Sequence, residues 1–236
     1  MNLLCLDAGN TRLKWGLHDG ARWLAQGALE HAAGAELLPA RLPAPAGRIL
    51  ACNVAGGAVA QGIEALAATL GVPLDWFRSS KSCCGVTNGY DHPAQLGADR
   101  WAALVGARGV HTGDALVVMA GTATTIDVLA ADGRFRGGLI LPGLELMQKA
   151  LARHTAGLPE ARGACRDLPT NTDDAIVSGA LHATLGAIER MSRLAKTDFR
   201  VLLSGGAADA LAPHLARPVL RVDNLVLEGL ARVAGC

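Results

Sequence analysis

Aromatic residues make up only 3% of the 236-residue chain, so Leu, Val, Ile and Ala must build most of any core. Neither sign of charge is in excess. The 22 Lys+Arg and 21 Asp+Glu leave a formal net charge of +1, which argues against a partner held by bulk charge neutralisation, such as nucleic acid or an anionic membrane. Long apolar runs are also missing. The longest stretch free of Asp, Glu, Lys and Arg is Ile49–Ile63, 15 residues with Gly56-Gly57 inside it, short of the ~18 a membrane span requires. The first residues, Met1 to Leu6, carry no basic cluster and meet Asp7 at once, unlike a secretory signal. None of the six cysteines stands in a C-x-x-C pair, and a bond between the adjacent Cys83 and Cys84 would be strained. With no matched Cys or His pairs for structural zinc, the expectation is a reduced cytoplasmic protein. No Walker A sequence and no G-x-G-x-x-G after a strand occur, so the P-loop and Rossmann readings lose support.

What is present is a folded composition, 50% hydrophobic and 18% charged, and a pattern written twice. Residues 2–27 and 114–139 each read as an apolar strand, a small turn containing Gly, and a second strand. Each then has an Asp-Gly turn (Asp19-Gly20, Asp132-Gly133) and a third strand. Helix and strand patterns alternate after each triplet. In the first half these are a helix over about 31–41, a strand at 49–54, a helix over 58–70, a strand at 74–77 and a helix from Asp99 to Arg108. In the second they are helices at 144–154 and 172–194, a strand at 200–203, a helix over 207–216, a strand at 219–222 and a helix over 225–233. Thr172, followed by Asp173 and Asp174, reads as the start of the long helix. The expectation is a duplicated α/β fold, each half a mixed sheet flanked by helices, with halves 1–112 and 113–236 and a ligand cleft between them.

Two turns invite a phosphate. Asp7-Ala8-Gly9-Asn10-Thr11 leaves an apolar strand through residues that tolerate positive φ and can aim backbone N–H groups at an anion. Asp7 could hold a hydrated Mg²⁺ there, although an ordinary hairpin turn reads the same in isolation. Gly121-Thr122-Ala123-Thr124-Thr125 stands at the equivalent place in the second copy. Ser204-Gly205-Gly206 forms a third small-residue turn between a strand and a helix.

The first turn resembles the leading phosphate motif of the actin, sugar-kinase and Hsp70 ATPase superfamily. Asp7–Thr11, Leu96-Gly97-Ala98-Asp99-Arg100-Trp101, Gly121–Asp127, Gly137–Gly143 and Asn171–Gly179, in that order, resemble type III pantothenate kinases. The resemblance implies duplicated ribonuclease H-like (actin-like ATPase) domains. It also implies ATP-dependent phosphorylation of pantothenate to 4'-phosphopantothenate, the first committed step of coenzyme A biosynthesis, by a cytoplasmic homodimer.

Residue by residue, the resemblance implies that Asp7, Ala8, Gly9, Asn10, Thr11, Arg12, Leu13, Lys14, Gly121 and Thr122 bind the nucleotide, with Mg²⁺ at Asp7. Asp99 is the implied proton acceptor, a role phosphoryl transfer to an alcohol needs. Tyr90, Gly97, Ala98, Asp99 and Arg100 would bind pantothenate, Arg100 suiting its carboxylate. Thr172 would reach the substrate from the second subunit. Taken alone, Asp99 and Thr172 read as helix-start residues, Arg100 as a surface ion pair and Lys14 as an exposed strand lysine. Many members carry an Asp two residues before Gly121 as a monovalent-cation ligand (K⁺ or NH₄⁺). Met119 stands there, which predicts weak K⁺ dependence. The competing readings are a kinase of another small hydroxy acid and a nucleotide-binding regulatory protein of the same fold. Gly97–Arg100 separates them, since a nucleotide sensor does not need it.

Overall fold

The computed structural model describes residues 1–30, 35–195 and 198–236. The chain divides into two compact units. Residues 1–112 with 133–135 and 224–236 form the first, and residues 113–132 with 136–223 form the second.

In the first unit, β1 (Leu3–Ala8), β2 (Arg12–His18), β3 (Trp23–Glu30), β4 (Arg48–Asn53) and β5 (Leu74–Trp76) form one sheet in the order β3-β2-β1-β4-β5. β2 is antiparallel to β1 and β3, while β4 runs parallel to β1 and β5 parallel to β4. All six residues of the central strand β1 are buried, because both faces of the sheet are covered. Leu4, Leu6 and Ala8, with Leu13, Trp15 and Leu17 of β2, pack on Ile63, Leu66 and Ala67 of α1 (Gly57–Leu70). Gly71 ends that helix in the left-handed conformation, φ 65°, its N–H returned to the carbonyls of Ala67 and Ala68, a cap that glycine makes without a Cβ penalty. The small strands β6 (Ser82–Cys83) and β7 (Val86–Thr87) form a separate hairpin, and α2 (Ala98–Val110) follows.

The second unit repeats the plan. β8 (Ala115–Ala120), β9 (Ala123–Leu129), β10 (Phe135–Pro142), β11 (Arg200–Ser204) and β12 (Val219–Arg221) stand in the order β10-β9-β8-β11-β12. Strand for strand, this is the order of the first sheet. Its helices are α3 (Leu144–His154), α4 (Thr172–Leu194) and α5 (Ala208–Leu211). Leu181, Ile188 and Met191 of α4 pack with Leu116, Val118, Ile126 and Leu203 of the sheet.

Three expectations need correction. The last helix, α6 (Leu225–Gly235), and Gly133–Phe135 belong to the first unit, not the second. α6 lies so close to α2 that a Cβ on Gly229 would overlap the Ala102 carbonyl, and one on Gly106 the Leu225 carbonyl. The two helices therefore meet backbone to backbone through glycines. Secondly, helix is overestimated in two places. Of the span 31–41, residues 31–34 lie outside the described ones, and Ala35–Leu37 and Pro39–Arg41 form only single 3-10 turns. In 207–216 the α-helix stops at Leu211 and gives way to a 3-10 turn containing Pro213, since proline cannot continue the i→i−4 ladder. Thirdly, the cysteines are not all reduced. Cys84 and Cys236 form a disulfide across 152 residues of sequence with Cα atoms 5.9 Å apart, a pairing between distant segments that no spacing rule could detect. Among the described residues, no helix is long and apolar enough to cross a membrane.

Candidate active site

Asp7 lies near the end of β1 on the face opposite the α1 core. Strand register sets Lys14 of β2 beside it on one side and Cys52 of β4 on the other. α2 and α6 pack over this part of the sheet. The carboxylate is only 6% exposed. The Cys52 thiol donates to Asp7 Oδ1 over 3.5 Å. Burial pushes the Asp7 carboxyl up from 3.8 to about 6, against the pull of Lys14 and with the added push of Asp99. Burial also raises the Cys52 thiol well above its usual value, so it stays protonated and remains a donor. A desolvated carboxylate within electrostatic reach of a second one, with only Lys14 to offset it, holds its charge more readily when a further cation joins it. That donor set suits a hydrated divalent cation.

Asp99 sits in the first turn of α2, and its Oδ1 accepts the Arg100 backbone N–H at 2.8 Å. Gly97, the residue capping the helix, leaves room for it, since a Cβ there would stand 2.6 Å from Asp99 Oδ1. The helix-start reading of Asp99 is therefore true of its geometry. The same placement leaves it half-buried and within electrostatic reach of Asp7.

Arg100 is not on the surface, contrary to the ion-pair reading. It is 5% exposed, and its Nη1 donates to the Tyr90 hydroxyl at 2.8 Å. Its guanidinium lies 5.6 Å from the Tyr90 ring centre and 5.8 Å from that of Phe135. The two rings are themselves 5.5 Å apart. A guanidinium held against aromatic rings keeps its planar fork in a fixed orientation. Phe135 was not anticipated; its apolar strand signal says core, and only the return of residues 133–135 to the first unit brings it to Tyr90.

In the second unit, Gly121 and Thr122 join β8 to β9. The Gly143 N–H donates to the Thr122 carbonyl at 2.8 Å, and a Cβ on Gly143 would overlap the Gly121 carbonyl. Gly205, at φ 104°, lies against the Ala120 carbonyl just as closely. Three glycine turns thus converge at the end of β8, a backbone cradle that any side chain would fill. Met119, on β8, is flanked in register by Thr125 and Ser204. The Thr124 and Thr125 hydroxyls are buried without a hydrogen-bond partner.

Thr172 is the first residue of α4, but Asn171 caps the helix. Its Oδ1 accepts the Asp174 N–H at 2.9 Å. Thr172 thus starts the helix as read from the sequence, without capping it, and it borders an apolar groove of about 650 Å³ between α3 and α4. In the first unit the structure brings together Asp7, Lys14 and Asp99, and separately Arg100 and Tyr90. Ala8 and Leu13 are buried sheet residues, whereas Asn10, Thr11 and Arg12 lie exposed at the turn. Gly9, half-buried, begins that turn, and Gly97 and Ala98 open α2.

A duplicated five-stranded α/β unit with glycine turns at the first hairpin of each copy defines the fold class of the actin-like kinases and ATPases. A putative 2-dehydro-3-deoxygalactonokinase from Sinorhizobium meliloti shares the fold, with a TM-score of 0.63 at 18% identity and 98% coverage of each chain. The family follows from sequence: the model of the type III pantothenate kinases matches residues 3–194. Type III pantothenate kinases of Aromatoleum aromaticum and Dechloromonas aromatica are 54% and 49% identical to the chain, each match covering 98% of it and 97% and 98% of the relative. The chain belongs to the type III pantothenate kinase family.

Proposed function

We propose that this chain transfers the γ-phosphoryl group of ATP to the primary hydroxyl of pantothenate. The observation that carries this reading is the run Asp99-Arg100, which joins a half-buried carboxylate near Asp7 to a buried guanidinium bonded to Tyr90. Arg100 would pair with the substrate carboxylate and Tyr90 would form one wall of its pocket. Asp99 would accept the proton as the hydroxyl oxygen bonds to phosphorus and the bond to the leaving ADP oxygen breaks. Phosphate oxygens would meet backbone N–H groups of the turns at Asp7–Thr11 and Gly121–Thr122, with Lys14 as an added point charge. Asp7 would hold Mg²⁺, which when bound neutralises developing charge on the phosphates. Met119, with a thioether where many relatives carry a carboxylate, supports weak dependence on K⁺ or NH₄⁺.

The apolar groove between α3 and α4, lined by Pro142, Leu146, Met147 and Ile176 with Thr172 at its edge, supports a homodimer that places Thr172 at the partner's substrate. The small net charge supports a protein acting free of nucleic acid and membrane; the cytoplasmic reading rests on the family alone. The deciding experiment is ATP turnover with and without pantothenate, for the wild type and Asp99→Asn. Turnover should require pantothenate and fall ~10²–10⁴-fold in the variant. Pantothenate-independent turnover, or full activity in Asp99→Asn, would overturn the reading. For the dimer, Thr172→Ala should raise KM for pantothenate and leave ATP binding intact; an active monomer would refute it.

A further inference from the structure

The stretch between β5 and α2 carries Tyr90 with very little regular structure to hold it. It contains only the two-residue strands β6 and β7 and one 3-10 turn, Pro93–Gln95. The hairpin closes at its base where the Asn88 N–H donates to the Lys81 carbonyl at 2.9 Å. A loop so poor in ladder bonds loses order easily unless side chains supply what the backbone does not. Asn88 supplies it. The residue is 7% exposed, and its amide works at both ends. Nδ2 faces Ser79 Oγ at 3.1 Å and the carbonyls of Ser80 and Pro93, each at 3.2 Å. Oδ1 accepts the Tyr90 backbone N–H at 3.0 Å.

One side chain therefore ties the segment entering the hairpin, the Tyr90 backbone and the turn at Pro93. The requirement is chemically narrow. An amide offers two donors and an acceptor in one plane. Aspartate keeps the acceptor for Tyr90 but turns a negative oxygen toward two carbonyls. Alanine abandons all the partners and leaves partly buried polar groups unmatched.

We infer that Asn88 is a positioning residue, which sets the Tyr90 hydroxyl against Arg100 and through it the affinity for the acid substrate. This rests on the reading that Tyr90 and Arg100 receive pantothenate, so the test separates the two. Tyr90 is the sole tyrosine of the chain, and 3-fluorotyrosine incorporated throughout gives a single ¹⁹F resonance. In the full-length protein without substrate, Asn88→Ala and Asn88→Asp should each shift and broaden that line. A line unmoved by both variants overturns the inference whatever the substrate is.

In steady-state assays, Asn88→Ala should raise KM for pantothenate about tenfold, the scale of a lost buried hydrogen-bond set, with KM for ATP unchanged. In a Tyr90→Ala background the same substitution should add nothing, because its effect runs through Tyr90. Full additivity of the two, or equal rises in both KM values, refutes the positioning role. Ser79→Ala, which removes one partner and keeps the rest, should give a smaller rise and serves if Asn88→Ala does not fold. If Tyr90→Ala and Arg100→Lys leave KM for pantothenate untouched, the substrate reading fails. If they raise it and Asn88→Ala does not, only the positioning role falls.

Discussion

Replacing Asp7 by Asn should stabilise the nucleotide-free protein at neutral pH while removing its activity. The carboxyl titrates at about 6 in the folded chain against 3.8 in the unfolded one, chiefly because it is buried. A raised acid pKa means the folded state holds its proton longer, so wild-type stability falls as pH rises through this window. At about 1.4 kcal/mol per pH unit, the loss is about 1 kcal/mol near pH 4.5 and about 3 kcal/mol near pH 7.5. Asparagine keeps the shape and can still accept the Cys52 thiol proton, but it has no charge to bury. The stability of Asp7→Asn relative to wild type should therefore rise by about 2 kcal/mol between pH 4.5 and 7.5. Any fixed cost of the new amide cancels in that difference. All four tryptophans, Trp15, Trp23, Trp76 and Trp101, lie in the first unit, so urea unfolding followed by their fluorescence reports on the relevant part. Adding Mg²⁺ and ATP should raise wild-type stability and leave the variant behind, since only a bound ligand shifts the equilibrium. A stability difference flat across pH would refute the claim that Asp7 carries a buried charge.

Three further outcomes follow from the same structure. Cys236→Ser should lower stability by about 2–4 kcal/mol under oxidising conditions, as expected for opening a long cross-linked loop. Urea curves with and without a dithiol should then coincide for the variant and differ for the wild type. Gly229→Ala should destabilise by ~1–3 kcal/mol because its Cβ meets the Ala102 carbonyl, whereas Gly186→Ala, with open space in α4, should stabilise by up to ~1 kcal/mol; thermal melts decide both. Activity should change little when Na⁺ replaces K⁺ or NH₄⁺, and a strong requirement in a coupled assay would show that Met119 is no guide to the cation site.

The site was legible where its signal was local. Gly97-Ala98-Asp99-Arg100 declares a helix start with a carboxylate in the first turn, and the turn after β1 declares itself through Gly9 and Asn10. Cys52, Asn88 and Phe135 gave no such signal. A cysteine in an apolar strand, an asparagine before a glycine and a phenylalanine after an Asp-Gly turn read as core or turn residues. Their importance comes from what stands opposite them. Cys52 faces Asp7 only because β4 pairs with β1 in one register, and a slip of one residue would turn it to the other face.

Most element types, the duplicated order of strands, the two glycine turns and the family were in the sequence itself, because periodicity, turn chemistry and motif order are short-range properties of the chain. Tertiary structure alone decided that α6 joins the first unit, that Cys84 meets Cys236, that Arg100 is buried against Tyr90, and that Asn171 rather than Thr172 caps α4. The first two depend on contacts between segments far apart in sequence, and the third on a loop folded back over ten residues, where packing chooses among partners that local patterns leave equal. The fourth turned on one backbone position: Asn171 is extended while Thr172 is already helical, and only the extended residue can turn its side chain back to the helix N–H groups.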